Sequence, residues 1–157
     1  MPAYHLAQFN IARAKGPTDG PVMAEFMANL DRINSLAEAS PGFVWRFQTE
    51  DGSATSVRAF EDPDLLLNLS TWESVESFKH YVYKTVHAEF LPRRREWFEP
   101  VPELPVLVMW WVPAGTEPSI DECVAKLQQL ADQGPSADAF TFRTAFPAPD
   151  EASQNKP

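Results

Sequence analysis

Residues 72–98, WESVESFKHYVYKTVHAEFLPRRREWF, concentrate the side chains from which a chemical site could be built. The stretch contains two of the three histidines, two of the three tyrosines, two of the five tryptophans and a run of three arginines, and it contains no glycine. Val75, Phe78 and Val82 recur at spacings of three and four residues, which is typical of the buried face of a helix. The stretch therefore predicts a long helix that packs across the rest of the fold.

A second stripe of the same helix mixes aromatic rings with an imidazole and a guanidinium. A buried face does not need those two polar groups, so we expect this stripe to form one wall of a site. Pro92 removes a backbone donor and clashes with the preceding turn, so the helix should kink there or a new helix should begin there. The members of the stripe are Tyr83, His87, Phe90, Arg94 and Trp97.

The rest of the chain alternates predicted strands and helices. Ser119, followed three residues later by Glu122, predicts a capping box, and Ser74 or Thr71 is the expected N-cap of the long helix. The order β-α-β-β-α-β-α-β contains the ferredoxin-like split βαβ unit, followed by an added helix and strand. The predicted strands are residues 4–12, 43–49 with an extension at 56–60, 65–72, 106–112 and 139–146, and the other predicted helices are residues 22–39 and 119–133.

The predicted sheet is apolar on both faces, with Leu67 on one and Trp72 on the other. Helices that cover one face only would leave the second face to another copy of the chain, and two sheets packed face to face would form a barrel. The predicted fold class is therefore α+β: a ferredoxin-like antiparallel sheet with helices on one face, assembled as a homodimeric α+β barrel. We expect residues 1–146 to form this single domain and residues 147–157 to be a disordered tail.

The composition excludes several partners and chemistries. The chain has a net charge of -9 and a pI near 4.7. It therefore lacks the basic face that nucleic acid requires. The single cysteine, Cys123, excludes an internal disulfide framework and a cysteine-based metal cluster. A glycine-rich phosphate loop and a G-x-S-x-G elbow are missing from the sequence, which disfavours nucleotide and serine-hydrolase chemistry. Because the sequence shows neither a signal-like start nor a membrane-length apolar run, we expect a cytoplasmic protein with no membrane partner.

Four polar residues lie within predicted strands, namely Gln8, Asn10, Asn68 and Ser70. Inside a barrel, such groups could orient a carbonyl or phenol in a mostly apolar pocket. The alternative is cross-strand hydrogen bonding or a buried water. Gln8, Asn10 and Asn68 are candidate substrate-binding residues. Trp72 and Trp97 join them as candidate walls of the pocket, although most tryptophans in such a fold are expected to be structural.

His87 is the candidate centre of the chemistry. Its imidazole titrates near neutrality, so it could act as a general base, or as the axial ligand of a haem. The alternative is a histidine that packs and hydrogen-bonds under the sheet. Tyr83 and Arg94 complete the predicted catalytic set, and Arg94 could instead form an ion pair within the chain. No metal is expected, apart from haem iron at His87.

Five segments together resemble a family of uncharacterised bacterial and fungal proteins in the dimeric α+β barrel superfamily, which is similar to antibiotic biosynthesis monooxygenases. The resemblance covers about residues 6–149 and implies the barrel fold rather than a particular reaction. Cofactor-independent oxygenases of this superfamily bind polyphenolic substrates that themselves activate oxygen. The segments are LAQFNIAR, LLLNLSTWESVESF, YVYKTVHAEFLPRRREWF, LVMWWVPAG and GPSADAFTFRTAFP.

The long helix alone is also similar to a segment of spheroidene monooxygenase, a carotenoid oxygenase associated with haem. The pattern is W-x5-F-x2-Y-x-Y-x3-H followed by R-x2-WF, which begins at Trp72 and contains His87 and Arg94. Haem proteins of the same superfamily, such as chlorite dismutases and dye-decolourising peroxidases, place a haem-ligating histidine on a helix against the sheet. This resemblance implies either haem or no cofactor as the alternatives to test.

The leading functional hypothesis is a monooxygenase-like oxidoreductase that acts on a small hydrophobic or aromatic molecule in a pocket between the sheet and the long helix. Two alternatives stay open: a non-catalytic ligand-binding dimer, and an isomerase or cyclase that uses His87 as a base. A sheet–helix interface filled by side chains would favour the non-catalytic alternative.

Overall fold

The computed structural model describes residues 3–17, 19–47, 65–85, 93–102 and 104–149. Their helices and strands follow the order of a ferredoxin-like unit with an added C-terminal helix. In chain order the elements are β1 (Tyr4–Ala14), α1 (Ala24–Ala39), β2 (Phe43–Arg46), β3 (Leu65–Trp72), α2 (Val75–Lys84), α3 (Arg94–Trp97), β4 (Phe98–Glu99), β5 (Leu107–Pro113) and α4 (Ile120–Gln133).

The strands form one antiparallel sheet in which β1 is central. β3 pairs with one edge of β1 and β2 pairs with the outer edge of β3. β5 pairs with the other edge of β1 along residues 4–10, and the short β4 continues that edge at Arg13 and Ala14. The order β2-β3-β1-β5 is that of the ferredoxin-like fold, so the predicted α+β class is confirmed.

One face of the sheet, here called the α1/α2 face, is covered by the two crossover helices. Successive residues of β1 point to opposite faces, so Leu6, Gln8 and Asn10 share this one. Leu6 packs there with Trp72 of β3, Ala37 of α1 and Phe78 of α2. The side chain and backbone of Ser74 form a complete capping box with Ser77, which fixes the start of α2.

The opposite face, here called the α4 face, is covered by the added helix. Ala7 and Phe9 of β1 lie in one buried cluster with Cys123, Leu127 and Leu130 of α4. Both faces are therefore buried within a single chain, and the uncovered face from which dimerisation was inferred is filled by α4. Homodimerisation stays a prediction, but an uncovered sheet face no longer supports it.

The helix predicted across residues 72–98 is shorter than expected. The second stripe of that helix, from Tyr83 to Trp97, is therefore not one continuous helical face. α2 ends at Lys84, because Thr85 is extended and its hydroxyl donates to the carbonyl of Tyr81 in the last turn. A threonine that bonds back to residue i−4 competes with continuation of a helix. Residues 86–92, with His87, lie outside the described residues. Tyr83 of α2 and Trp97 of α3 thus do not share one helical face.

The C-terminal part differs from the predicted fifth strand at 139–146. Phe140 forms a single two-bond bridge with Met109 of β5, and Thr141 then turns back to Thr144. Ser119 does cap α4, but the Glu122 carboxylate accepts the indole N–H of Trp110 at 3.1 Å instead of completing a capping box. Of the predicted tail, Ala148 is buried, and residues 150–157 lie outside the described residues, as does the extension at 56–60.

Candidate functional site

The central polar feature of the α1/α2 face is a hydrogen-bonded ladder across β1 and β3, here called the amide ladder. The strand register places Gln8 opposite Ser70 and Asn10 opposite Asn68. Gln8 Nε2 donates to Asn68 Oδ1 and to Ser70 Oγ, each at 2.7 Å. Asn10 Nδ2 donates to Gln8 Oε1 at 2.7 Å and lies 3.4 Å from Asn68 Oδ1. Trp72 Nε1 closes the ladder by donating to Ser70 Oγ at 2.9 Å.

The ladder runs from a closed end to an open end. Gln8 is completely buried and Ser70 is nearly so, whereas Asn10 is half-buried and Asn68 is exposed. A buried amide is tolerated only when it is hydrogen-bonded, and both N–H groups of Gln8 are. The buried half, Gln8 and Ser70, thus forms the cross-strand hydrogen bonds that were the alternative to a ligand site. These bonds hold Asn10 and Asn68 of the open half in place.

At the open end, two amide groups have no protein partner among the described residues. These are Nδ2 of Asn68, a donor, and Oδ1 of Asn10, an acceptor. Both lie on the surface of the sheet, so a molecule that carries an oxygen acceptor and a hydroxyl donor could bond to both at once. The open end can therefore orient a small ligand without any charged group.

Two apolar clusters flank the ladder. At the Trp72 end, the indole stacks on Tyr81 at 5.3 Å and contacts Phe78 at 5.5 Å between ring centroids. At the other end, Trp97 and Ile33 belong to a separate buried cluster. The ladder is thus a short polar strip between apolar walls, a common composition for a small-molecule site.

The structure brings together four of the predicted substrate-binding residues and separates the fifth. Gln8, Asn10, Asn68 and Trp72 are linked through the ladder. Trp97 lies in the apolar cluster beyond the open end and forms no bond to the described residues of the ladder; it is buried against Phe26 of α1 at 5.6 Å. Its ring packs as part of that cluster.

The predicted catalytic set is not assembled in the described residues. Tyr83 is 51% exposed and lies on the outer side of α2, whereas Phe78 and Tyr81 of the same helix face the sheet. Arg94 is exposed on α3 and forms no ion pair within the described part of the chain. His87 lies outside that part, so its predicted role stays a prediction.

Arg93, rather than Arg94, has the paired guanidinium. It bonds to both carboxylate oxygens of Glu25 at 2.6 and 2.7 Å and to Glu96, and its guanidinium carbon lies 4.8 Å from the centre of the Trp97 ring. The Glu96 hydrogen bond to Arg93 lowers the pKa of that carboxyl. Arg93 thus fixes α3 to α1, which is a structural role.

Sequence reasoning named Ser70 but did not place it at the centre of the ladder. Ser70 Oγ accepts two hydrogen bonds, one from Gln8 and one from Trp72. Both lone pairs of this hydroxyl are therefore used, and any further bond it forms is one that its O–H donates. The pattern N-x-S-x-W over residues 68–72 puts three polar atoms on one face of β3, and this period of two is the signal that identifies the ladder.

The space between the sheet and α2 does not fit a haem. The rings of Trp72, Phe78 and Tyr81 fill it in mutual contact, and the Tyr81 hydroxyl donates to the carbonyl of Ile33 at 3.2 Å. Burial raises the pKa of Tyr81 above its ordinary value, so this phenol is a fixed donor and not a proton carrier. Among the described residues, no group of three or more histidine, cysteine or acidic side chains could hold a metal ion.

The sheet order defines an α+β protein with a ferredoxin-like fold. The chain belongs to the family described as "Domain of unknown function (DUF3291)", whose model matches residues 5–156. No curated protein matches the chain. No helix in the described ranges is long and apolar enough to cross a membrane.

Two solved structures are similar in fold. The NE2512 protein of unknown function from Nitrosomonas europaea is 15% identical with a TM-score of 0.51, over 74% of this chain and 97% of that chain. A variant of SnoaB, a cofactor-independent oxygenase from Streptomyces nogalater, is 13% identical with a TM-score of 0.47, over 72% and 95% of the two chains. The similarity to the first structure supports the fold. The TM-score of the second structure is too low to support an argument about fold or chemistry.

Proposed function

We propose that the protein binds a small aromatic or otherwise hydrophobic molecule at the open end of the amide ladder and oxidises it as a monooxygenase-like enzyme. The observation that supports the proposal is the ladder itself, a set of fixed amides that ends at exposed Asn68 between two apolar clusters. Rigid polar groups in an apolar setting orient a ligand at little entropic cost.

Each ladder residue has a defined part in this binding. Asn68 Nδ2 donates to a carbonyl or phenolic oxygen of the ligand, and Asn10 Oδ1 accepts from a hydroxyl. Gln8 and Ser70 do not touch the ligand; they hold the two asparagines through the bonds described above. The ligand is therefore flat, mostly apolar and oxygen-bearing.

The chemistry follows from the absence of a titratable group in the ladder. Neutral amides bind and orient but do not transfer protons at ordinary pH. A hydroxylated anthrone-type ketone can itself reduce oxygen through its electron-rich enol: the ring CH2 of the ketone becomes a carbonyl with one atom of O2, and the other atom leaves as water with the two CH2 hydrogens. In such a reaction the substrate supplies all the electrons, and the protein supplies orientation.

A second candidate is a non-catalytic ligand-binding protein. The filled interface under α2 favours it, because the pocket expected between the sheet and that helix is occupied by Trp72, Phe78 and Tyr81. Binding is then confined to the open end of the ladder, and no reaction follows.

Dihydroxyanthrone and simpler hydroxylated aromatic ketones are suitable probes for both candidates. Binding is measured by quenching of tryptophan fluorescence, and turnover by an oxygen electrode with mass spectrometry of the product. Asn68→Leu should weaken binding about tenfold or more, the value of one good polar contact. Asn29→Leu is the matched control, because within the described residues the Asn29 amide bonds only the Glu25 carbonyl of its own helix.

The outcomes separate the candidates. Oxygen uptake that Asn68→Leu abolishes supports the oxygenase, and binding without uptake supports the binding protein. If no probe binds, or if both asparagine variants behave alike, the ladder is structural. A Soret band on haem addition that is lost in His87→Ala would instead establish the haem alternative.

A further inference from the structure

A shallow, solvent-open groove of about 620 Å³ adjoins the outer side of α2, and its described lining residues are exposed side chains of that helix. Its lining residues recur at spacings of three and four, so they form one stripe of the helix. The stripe continues to the last turn of α2. Its residues are Glu76, Lys79, His80, Tyr83 and Lys84.

The charge of this stripe is opposite to that of the whole chain. The chain has 22 acidic and 13 basic residues, yet the groove is lined by two lysines and a histidine against one glutamate. Within the described ranges, Lys79, His80 and Lys84 form no ion pair, whereas Arg93 pairs with Glu25. Two unpaired lysines on one short helix attract an anion from solution.

The wall of the groove is aromatic and supported from behind. The half-exposed ring of Tyr83 packs against Phe142 at 5.9 Å, and Phe142 in turn stacks on the buried Phe78 at 5.3 Å. The segment after α4 therefore holds the Tyr83 ring as a fixed surface. A fixed aromatic surface beside lysine stems can bury a flat apolar ring.

We infer that this groove is a binding site for a small aromatic anion, such as an aromatic carboxylate or sulfonate. The ring of the ligand packs on Tyr83, and its acidic group lies between Lys79 and Lys84 beside His80. A ten-residue helix, roughly 15 Å long, presents enough surface for a small ligand but is too short for a protein–protein interface of ordinary size. The site is independent of the amide ladder and of the function proposed for it.

The test uses the dye 1-anilinonaphthalene-8-sulfonate with the full chain at neutral pH. Dye fluorescence should rise on binding, and benzoate should displace the dye while benzamide, which has the same ring without the charge, should not. The double substitution Lys79→Gln/Lys84→Gln should weaken dye binding about tenfold, and Tyr83→Ala should do so as well. Lys126→Gln on α4 removes a lysine elsewhere and should leave the affinity unchanged.

Three results would overturn the inference. The first is equal affinity in the double variant and the wild type. The second is an equal loss in Lys126→Gln, which would mean that only net charge matters. The third is a loss in Asn68→Leu with retention in Tyr83→Ala, which would place the dye at the ladder. Unchanged melting temperatures confirm that the variants, all at exposed or half-exposed positions, remain folded.

Discussion

The two faces of the central sheet are built from the same strands but bury different chemistry. On the α4 face, Phe9 of β1 lies between Leu69 of β3 and Val108 of β5, and all three are buried. One residue earlier on β1, the α1/α2 face buries Gln8 between Ser70 and Met109. Alternating residues of one strand thus contribute to an apolar interior on one side and a polar strip on the other.

The difference between the apolar row on the α4 face and the polar strip on the α1/α2 face separates residues that pack from residues that could bind a ligand. An apolar row stabilises the fold without special geometry, and the α4 face shows that this chain can build one. A buried amide contributes less to stability and requires every hydrogen bond to be met. The binding role proposed above would account for a polar strip at positions where an apolar row could also pack.

The largest effect is expected on the α4 face. Phe9→Ala removes a fully buried ring and should lower the free energy of unfolding by about 3–5 kcal/mol, as measured in urea. Ligand binding at the ladder should persist while the protein is folded, because the ring points away from it. A loss of less than 1 kcal/mol would mean that the α4 face is not the main core.

A smaller stability loss with a larger functional loss is expected on the α1/α2 face. Gln8→Leu leaves Asn68, Ser70 and Asn10 without their common partner and should cost about 1–3 kcal/mol and abolish ligand binding. The triple variant Gln8→Leu/Asn10→Leu/Asn68→Leu should recover stability but not binding, because it removes all three ladder amides and Ser70 still accepts from Trp72 Nε1. Recovery of binding in that variant would contradict a role for the ladder.

Much of this contrast is encoded locally and was predictable. The alternation of polar and apolar residues gave the strand at Leu65–Trp72 with its correct bounds, and the Gly134-Pro135 pair gave the end of α4 at Gln133. Side-chain chemistry left Ser74 or Thr71 as the N-cap of α2, and the structure has Ser74. The polar character of Gln8 and Asn68 on strands identified the ladder residues before their partners were visible.

What failed depends on distant contacts. The apolar spacing continues past Lys84, so periodicity alone could not locate the end of α2 at an extended Thr85. Which of three successive arginines is paired depends on Glu25, 68 residues away in the chain. The position of α4 over the second face likewise follows from tertiary packing, which the sequence pattern of one helix does not contain.

Alkaline pH should weaken both faces, in two steps. Burial raises the pKa of Cys123, on the α4 face, from 9.0 to about 12, and raises that of Tyr81, on the α1/α2 face, above 10.0. Because each folded pKa lies above its unfolded value, the stability is fully present below that value and is lost as pH rises towards the folded pKa. Urea midpoints should therefore fall from about pH 9 upwards.

Two variants assign these steps to the faces. Cys123→Ala should remove the part of the decline that begins near pH 9, and Tyr81→Phe the part that begins near pH 10. If the midpoint is flat up to pH 11 in the wild type, neither group is as buried in solution as in the structure.

The smallest effect is expected from Arg94, one of the residues predicted to be catalytic. Its side chain is exposed and forms no ion pair within the described part of the chain, so Arg94→Gln should change stability by less than about 0.5 kcal/mol. Binding and oxygen uptake at the ladder should also be unchanged, because the contacts of the ladder lie within β1 and β3. A tenfold fall in turnover with normal stability would show that Arg94 and the ladder form one site. The binding residues would then include α3 as well as the α1/α2 face of the sheet.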